Sequence, residues 1–450
     1  MKYSRYFVTL VCSAGTMFTM VSAAATANAQ NASAPTYKVL AALNSSDGEG
    51  PIGNLAMDNS GNIYGVTAHG GSSQGEFCYN NQGCGTVFEA SPSSSGSWNL
   101  TLIHTFIGDS ENDGALPLSG LTLDGSGNLY GATPYGGSCP ISTAGCGVVY
   151  EISPAAGGGW QAPKILYSFQ GNADGISPQS PLIFDKAGNL YGTTYGGGTG
   201  YGGTVFELSP TLSGPWNKTT LYNFKYDTSD GNSPEGGVIF DAAGNLYGTT
   251  EVGGADTSGN CSSQGCGTVY ELSPNGSGEW SETILLSFNS TDGNNPLGNF
   301  AMDSAGNLYG ATLTGGPGND VCGIYGCGVV YEMAKSESGG WSEKLLRDLP
   351  ETVGGFYSGP ALDPAGNLYA TLYSGGPGKY GVAFRLAKSS TTPWPLAVLY
   401  SFNGEAVGGY PAAGPLFSKG SLFGTTSVGG NTSQCVQSFV SGCGVVYEIK

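Results

Sequence analysis

The chain has 450 residues and a formal net charge of −18, from 33 acidic and 15 basic side chains. That field repels nucleic acid and anionic membrane surfaces, so neither is expected as a partner. Glycine is very abundant (78 residues), but 11% aromatic and only 11% charged residues exclude a disordered composition and leave a folded, turn-rich protein.

Residues 1–29 read as a secretory signal peptide. Lys2 and Arg5 give a positive start, an uncharged apolar run follows, and Ala27-Asn28-Ala29 supplies the small-residue cleavage pattern. No basic stop-transfer flank follows, which argues against membrane insertion. The expected location is therefore secreted, extracellular or periplasmic. Residues 30–36 form a short leader, and 37–450 a single domain.

That domain repeats one phrase. GNIYG at Gly61, GNLYG at Gly127, Gly188, Gly244 and Gly306, GNLYA at Gly366 and GSLFG at Gly420 lie 54–66 residues apart. Each unit reads as four strands in order. A short apolar first strand runs into D-x-x-G, at Asp58, Asp124, Asp185, Asp241, Asp303 and Asp363. Aspartate starts the tight turn, and glycine supplies the positive φ of a three-residue hairpin with a bulge. "NLYGTT" is the second strand. After a glycine-rich loop, "GTVFELSP" alternates as the third. The fourth begins at the slot holding all six tryptophans: Trp98, Trp160, Trp216, Trp280, Trp341 and Trp394. A D-G-x-x-P connection then leads into the next unit.

Seven four-stranded units predict an all-β, seven-bladed β-propeller rather than a solenoid, which needs atypical caps at both ends. The chain starts with a lone fourth strand, "YKVLAALN", and ends on a third, "CGVVYEIK". Together they complete one blade, so the N-terminal strand is expected to close the ring and remove its open edges.

The phrase D-x-x-GNLYG-T-T, with the following GG, GCGTVYELSP and LYSF, resembles the GloVer tandem repeat of secreted bacterial proteins, known with varied cell-surface anchors. The resemblance covers roughly residues 36–450 and implies no catalytic residues. This chain stops within its last strand without a recognisable anchor, which favours free secretion.

Ten cysteines beyond the signal peptide form five local pairs: Cys78/Cys84, Cys139/Cys146, Cys261/Cys266, Cys322/Cys327 and Cys435/Cys443. Each pair lies in a loop between the second and third strands, and units three and six lack both members together. They are read as disulfides; a zinc reading has few histidines to support it.

Alternating strands put the 2–3 loops and the 4–1 connections on one face, called here the first face. Variable loops on a rigid scaffold carry function, so the ligand is expected there. The connection aspartates Asp47, Asp113, Asp174, Asp230 and Asp292 are expected to ring the channel mouth. They read either as cation or sugar ligands or as ordinary Asp-Gly turns. The recurrent third-strand acids, Glu89, Glu151, Glu207, Glu271, Glu332 and Glu448, read as structural partners of hydroxyls, with Arg385 in the seventh slot. His104 and Arg347 read as peripheral, and His69 as the one candidate acid or base. Loop aromatics, among them Phe77, Tyr79, Tyr135, Tyr195, Tyr201, Tyr325, Tyr373 and Tyr380, are suited to stacking on sugar faces.

No H-E-x-x-H or P-loop occurs, and nothing calls for a cofactor or a metal. The reading is a monomeric binding module for polysaccharide or an extracellular protein. A carbohydrate-active hydrolase or lyase is one alternative, marked by a non-repeating carboxylate pair at the channel mouth. A non-catalytic structural propeller is the other.

Overall fold

The computed structural model describes residues 34–71, 78, 82–108, 113–257, 261, 263–276, 278–317, 327–336, 339–349, 355, 356, 358–431, 433, 435 and 441–450. Residues Pro35–Lys450 form one compact unit. The proposed signal peptide, Phe77, Tyr79, Cys322 and Tyr325 lie outside the described residues.

Seven antiparallel sheets follow one another around a ring. Blade 1 is Glu49–Met57, Ile63–His69, Thr86–Pro92 and Trp98–Thr105. Blade 4, typical of the rest, is Ile239–Phe240, Leu246–Thr250, Thr268–Pro274 and Trp280–Ser287. Blade 7 takes three strands from the C-terminal end of the chain. Its outer strand is Tyr37–Ala42, paired antiparallel with Val445–Ile449, so the ring closes as the sequence predicts.

The D-x-x-G-N-L-Y phrase is a hydrogen-bonded unit. In blade 5, Asp303 Oδ1 accepts the backbone N–H groups of Ala305 and Asn307 at 2.9 and 3.0 Å. Its Oδ2 accepts Asn307 Nδ2 and the Tyr309 hydroxyl at 3.0 and 3.1 Å. Gly306 sits at φ 84, the left-handed position of the turn. Equivalent bonds recur at Asp124, Asp185, Asp241 and Asp363.

Packing then joins blade to blade. The second-strand tyrosine meets the tryptophan of the following blade: Tyr64–Trp160, Tyr130–Trp216, Tyr247–Trp341 and Tyr309–Trp394, with ring centroids 5.4–6.4 Å apart. In five blades a phenylalanine at the end of the fourth strand meets the next blade's third-strand aromatic, as in Phe106–Tyr150, Phe224–Tyr270 and Phe402–Tyr447. Fully burying one such aromatic is worth ~1.5–3 kcal/mol.

The first strand is shorter than its apolar sequence suggests. In blades 2, 3, 4 and 6 it pairs over two residues only. Here neighbouring backbones converge on the axis: a Cβ on Gly53 would lie 2.6 Å from the backbone N of Gly120. Glycine and proline permit that approach and cut the ladder short.

Candidate functional site

The D-G-x-x-P connection has a structural job that sequence alone did not reveal. The residue before each proline is left-handed: Leu116, Ser177, Ser233, Asn295 and Tyr410 have φ of 53–57°. This turns its N–H onto the preceding blade, as in Leu116 N to Cys84 O at 2.8 Å and Ser233 N to Gly202 O at 2.8 Å. The acceptor lies at or just before the start of a third strand, so each connection clamps the 2–3 loop of the blade before it.

The aspartates of these connections do not ring the channel mouth. Asp113 takes His104 Nε2 at 3.2 Å and the Ile107 N–H at 2.7 Å. Asp174 takes the Tyr167 hydroxyl at 2.9 Å and Lys218 Nζ at 3.0 Å. Asp230 takes the Tyr222 hydroxyl at 2.9 Å. Asp47 and Asp292 are held by Asn44 and Asn289. Each carboxylate turns outward to a fourth strand or connection because the tight turn presents its donors there. His104 thus takes the slot, and the hydrogen-bonding role, of Tyr167 and Tyr222. Where that slot holds Leu286, burial pushes Asp292 up to about 6, partly opposed by Asn289. Among the described residues, no cluster of three His, Cys, Asp or Glu side chains suits a metal.

The third-strand acids hold hydroxyls, as in Glu271 Oε1 with Tyr247 at 3.1 Å and Glu332 Oε1 with Tyr309 at 3.0 Å. His69 is half-buried, and its Nδ1 has no hydrogen-bond partner among the described residues. Burial, opposed by Glu49, holds its pKa down. Arg347 donates to Trp394 O at 3.4 Å. Disulfides join Cys78–Cys84, Cys139–Cys146, Cys261–Cys266 and Cys435–Cys443. Cys322, the expected partner of Cys327, falls outside the described residues.

The centre of the ring holds a cavity of about 120 Å³. One layer of its wall consists of Ile52, Leu118, Gln179, Glu235, Leu297 and Ala412, all in the same slot of successive repeats. Glu235 is the ionisable member. Burial first, and the charge of Glu251 second, push it up to about 7. Glu251 Oε2 accepts the Tyr195 hydroxyl at 2.9 Å, and Tyr195 also hydrogen-bonds Ser233. Glu235 and Glu251 escaped the sequence reading. Their signal was a departure from the repeat, since the same slots elsewhere hold Leu118 or Leu297, and Ala68 or Leu313.

Exposed tyrosines gather on the first face, in blades 2 and 3. Tyr201 is 71% exposed, Tyr226 57%, Tyr135 40% and Tyr195 37%. Ile107 and Ile141 extend the same arc. The arc is underpinned by the Cys139–Cys146 bridge and by short ladders such as Gly114–Ala115 with Tyr135–Gly136. Tyr373 is not part of it: it stacks on Tyr410 with centroids 5.0 Å apart, and Tyr380 packs on the same ring at 5.2 Å.

Among the described residues, no helix is long and apolar enough to cross a membrane. A comparison with curated proteins finds no match. Solved structures with similar folds include a protein of unknown function from Dyadobacter fermentans, 13% identical over 92% of this chain and 96% of that one, TM-score 0.42. A luciferin-regenerating enzyme is 12% identical over 92% and 95%, TM-score 0.43. A chain described as a gluconolactonase is 14% identical over 74% and 88%, TM-score 0.37. The sequence model of the Gloeobacter/Verrucomicrobia repeat matches residues 80–261 and 257–450, as the repeated phrase led us to expect. The chain belongs to the Gloeobacter/Verrucomicrobia repeat family.

Proposed function

We propose that this chain is a secreted propeller that binds extracellular polysaccharide on its first face. The observation that carries the reading is the arc of exposed tyrosines, Tyr135, Tyr195, Tyr201 and Tyr226, on adjacent blades. Flat rings with a polar edge stack on the apolar faces of sugars and hydrogen-bond at the rim. Loops held by disulfides and clamped connections lose little freedom on binding. The net charge favours a neutral or basic polymer over an acidic one.

A second reading, hydrolysis or lysis of the same polymer, is favoured by one observation: Glu235, poised near neutrality beside Glu251. Against it, a cavity of about 120 Å³ is small, below the ~300–1,000 Å³ of ordinary ligand clefts. The test is binding of the purified protein to an immobilised polysaccharide panel, with released reducing sugar assayed in the same wells. Retention without release is expected. Release abolished by Glu235→Gln would move the assignment to an enzyme, and silence in both channels would reject both readings.

A further inference from the structure

On the opposite face, where the D-x-x-G turns emerge, a groove of about 670 Å³ opens between blades 3 and 4. Its walls include the rings of Tyr191 and Trp280, the turn of Asp185, and Pro274 at the end of a third strand. The protein carries the same four slots one interface further round the ring. There they hold Tyr247, Trp341, Asp241 and, in place of the proline, Lys335.

Lys335 shows what chemistry these slots accept. Its ammonium lies 5.8 Å from the centre of the Tyr247 ring and 5.2 Å from that of Trp341. It is 3.6 Å from Asp241 Oδ2 and donates to the Tyr247 hydroxyl at 3.4 Å. A cation over aromatic faces, backed by a carboxylate, is a recurrent recognition arrangement. Between blades 3 and 4 the counterparts are all present. Tyr191 donates to Asp185 Oδ2 at 3.2 Å, repeating the bond of Tyr247 to Asp241 at 3.1 Å. Only the lysine is replaced, and proline has neither the reach nor the charge to fill the groove.

We propose that this groove is a second binding site, independent of the first face, for the lysine side chain of a partner polypeptide. The ammonium sits between the Tyr191 and Trp280 rings and against the Asp185 carboxylate, as Lys335 does within its own chain. The groove's volume leaves room for residues flanking that lysine. Lys186, exposed at the rim, is the one like charge on the wall and weakens the site.

The test titrates the full chain with acetyl-Gly-Lys-Gly-amide and with its neutral norleucine counterpart, read by calorimetry and Trp fluorescence. The lysine peptide is expected to bind at least about fivefold tighter than the norleucine peptide. Pro274→Lys is expected to abolish that binding while raising Tm, because the new side chain occupies the groove. Lys186→Ala, on an exposed turn, is expected to tighten binding, and gives a readout should Pro274→Lys fold poorly. Equal affinity for the two peptides, no binding of either, or full binding retained by Pro274→Lys would overturn the proposal.

Discussion

Tyr270 is wholly buried over Gly248, and its hydroxyl has no hydrogen-bond partner among the described residues. A Cβ added to Gly248 would stand 2.5 Å from Tyr270 Cζ. The second glycine of the GNLYG phrase is thus a packing requirement, set by the aromatic of the neighbouring strand rather than by its own φ. Blade 6 holds the alternative solution, Ala370 opposite Phe384. Gly248→Ala should therefore destabilise by about 1–3 kcal/mol through overpacking. Tyr270→Phe removes an unpartnered buried hydroxyl and should stabilise by roughly 1 kcal/mol. The double variant should keep part of the Gly248→Ala loss, because phenylalanine retains the Cζ that the new Cβ meets. Urea unfolding of the four proteins measures all three effects. A Gly248→Ala variant as stable as the parent would show that the close approach does not constrain this position.

At the scale of the strand, the closing pair matters most. Tyr37–Ala42 covers the edge of Val445–Ile449, and Thr36 and Lys450 exchange backbone hydrogen bonds at 2.9 and 3.0 Å. Deleting residues up to Ala42 should expose that edge, lower Tm and promote association, detectable by light scattering. An unchanged, monodisperse product would mean that closure contributes little. Much of this architecture was legible because the repeat samples each position seven times. The D-x-x-G turn, the tryptophan slot and the split blade needed only alignment of the chain with itself. What stayed hidden depends on neighbours in space. Nothing in D-G-x-x-P tells that Leu116 or Ser233 turns left-handed to reach the preceding blade. Nor does it tell that Asp113 points to His104 instead of the axis. The Glu235–Glu251 pair was equally concealed, because the two occupy different slots of the repeat and meet only when the connection pairs with the end of the second strand.

Among the described residues, six carboxyls resist ionisation: Asp47 and Glu89, and more strongly four others. Burial pushes Glu235, Glu282 and Glu343 up to about 7, with Glu251, Asp230 and Asp292 as the respective like charges, and Asp292 up to about 6. Blade 3 avoids the problem, since Lys218 occupies the slot of Glu282 and Glu343 and pairs with Asp174 at 3.0 Å. These carboxyls hold their protons more tightly folded than unfolded, so stability falls as pH rises from about 4.5 to about 7. The turn aspartates such as Asp303 lie below the usual carboxylate range: burial opposes the shift, but the hydrogen bonds from Asn307, Tyr309 and Ala305 together outweigh it. Their contribution is lost only in stronger acid. Tm should therefore peak near pH 4–5, and Glu282→Gln with Glu343→Gln should flatten its fall toward pH 8. A Tm higher at pH 8 than at pH 5 would contradict this.

The repeat holds blade against blade, and on the proposed reading polysaccharide is bound by first-face side chains that depart from it. The direct test is retention on the polysaccharide that the parent protein binds, after combining Tyr135→Ala, Tyr201→Ala and Tyr226→Ala. These rings are exposed, so Tm should stay within a few degrees while affinity falls at least about tenfold, roughly 1.4 kcal/mol. Unchanged retention by a folded triple variant would contradict the account and place recognition elsewhere on the propeller.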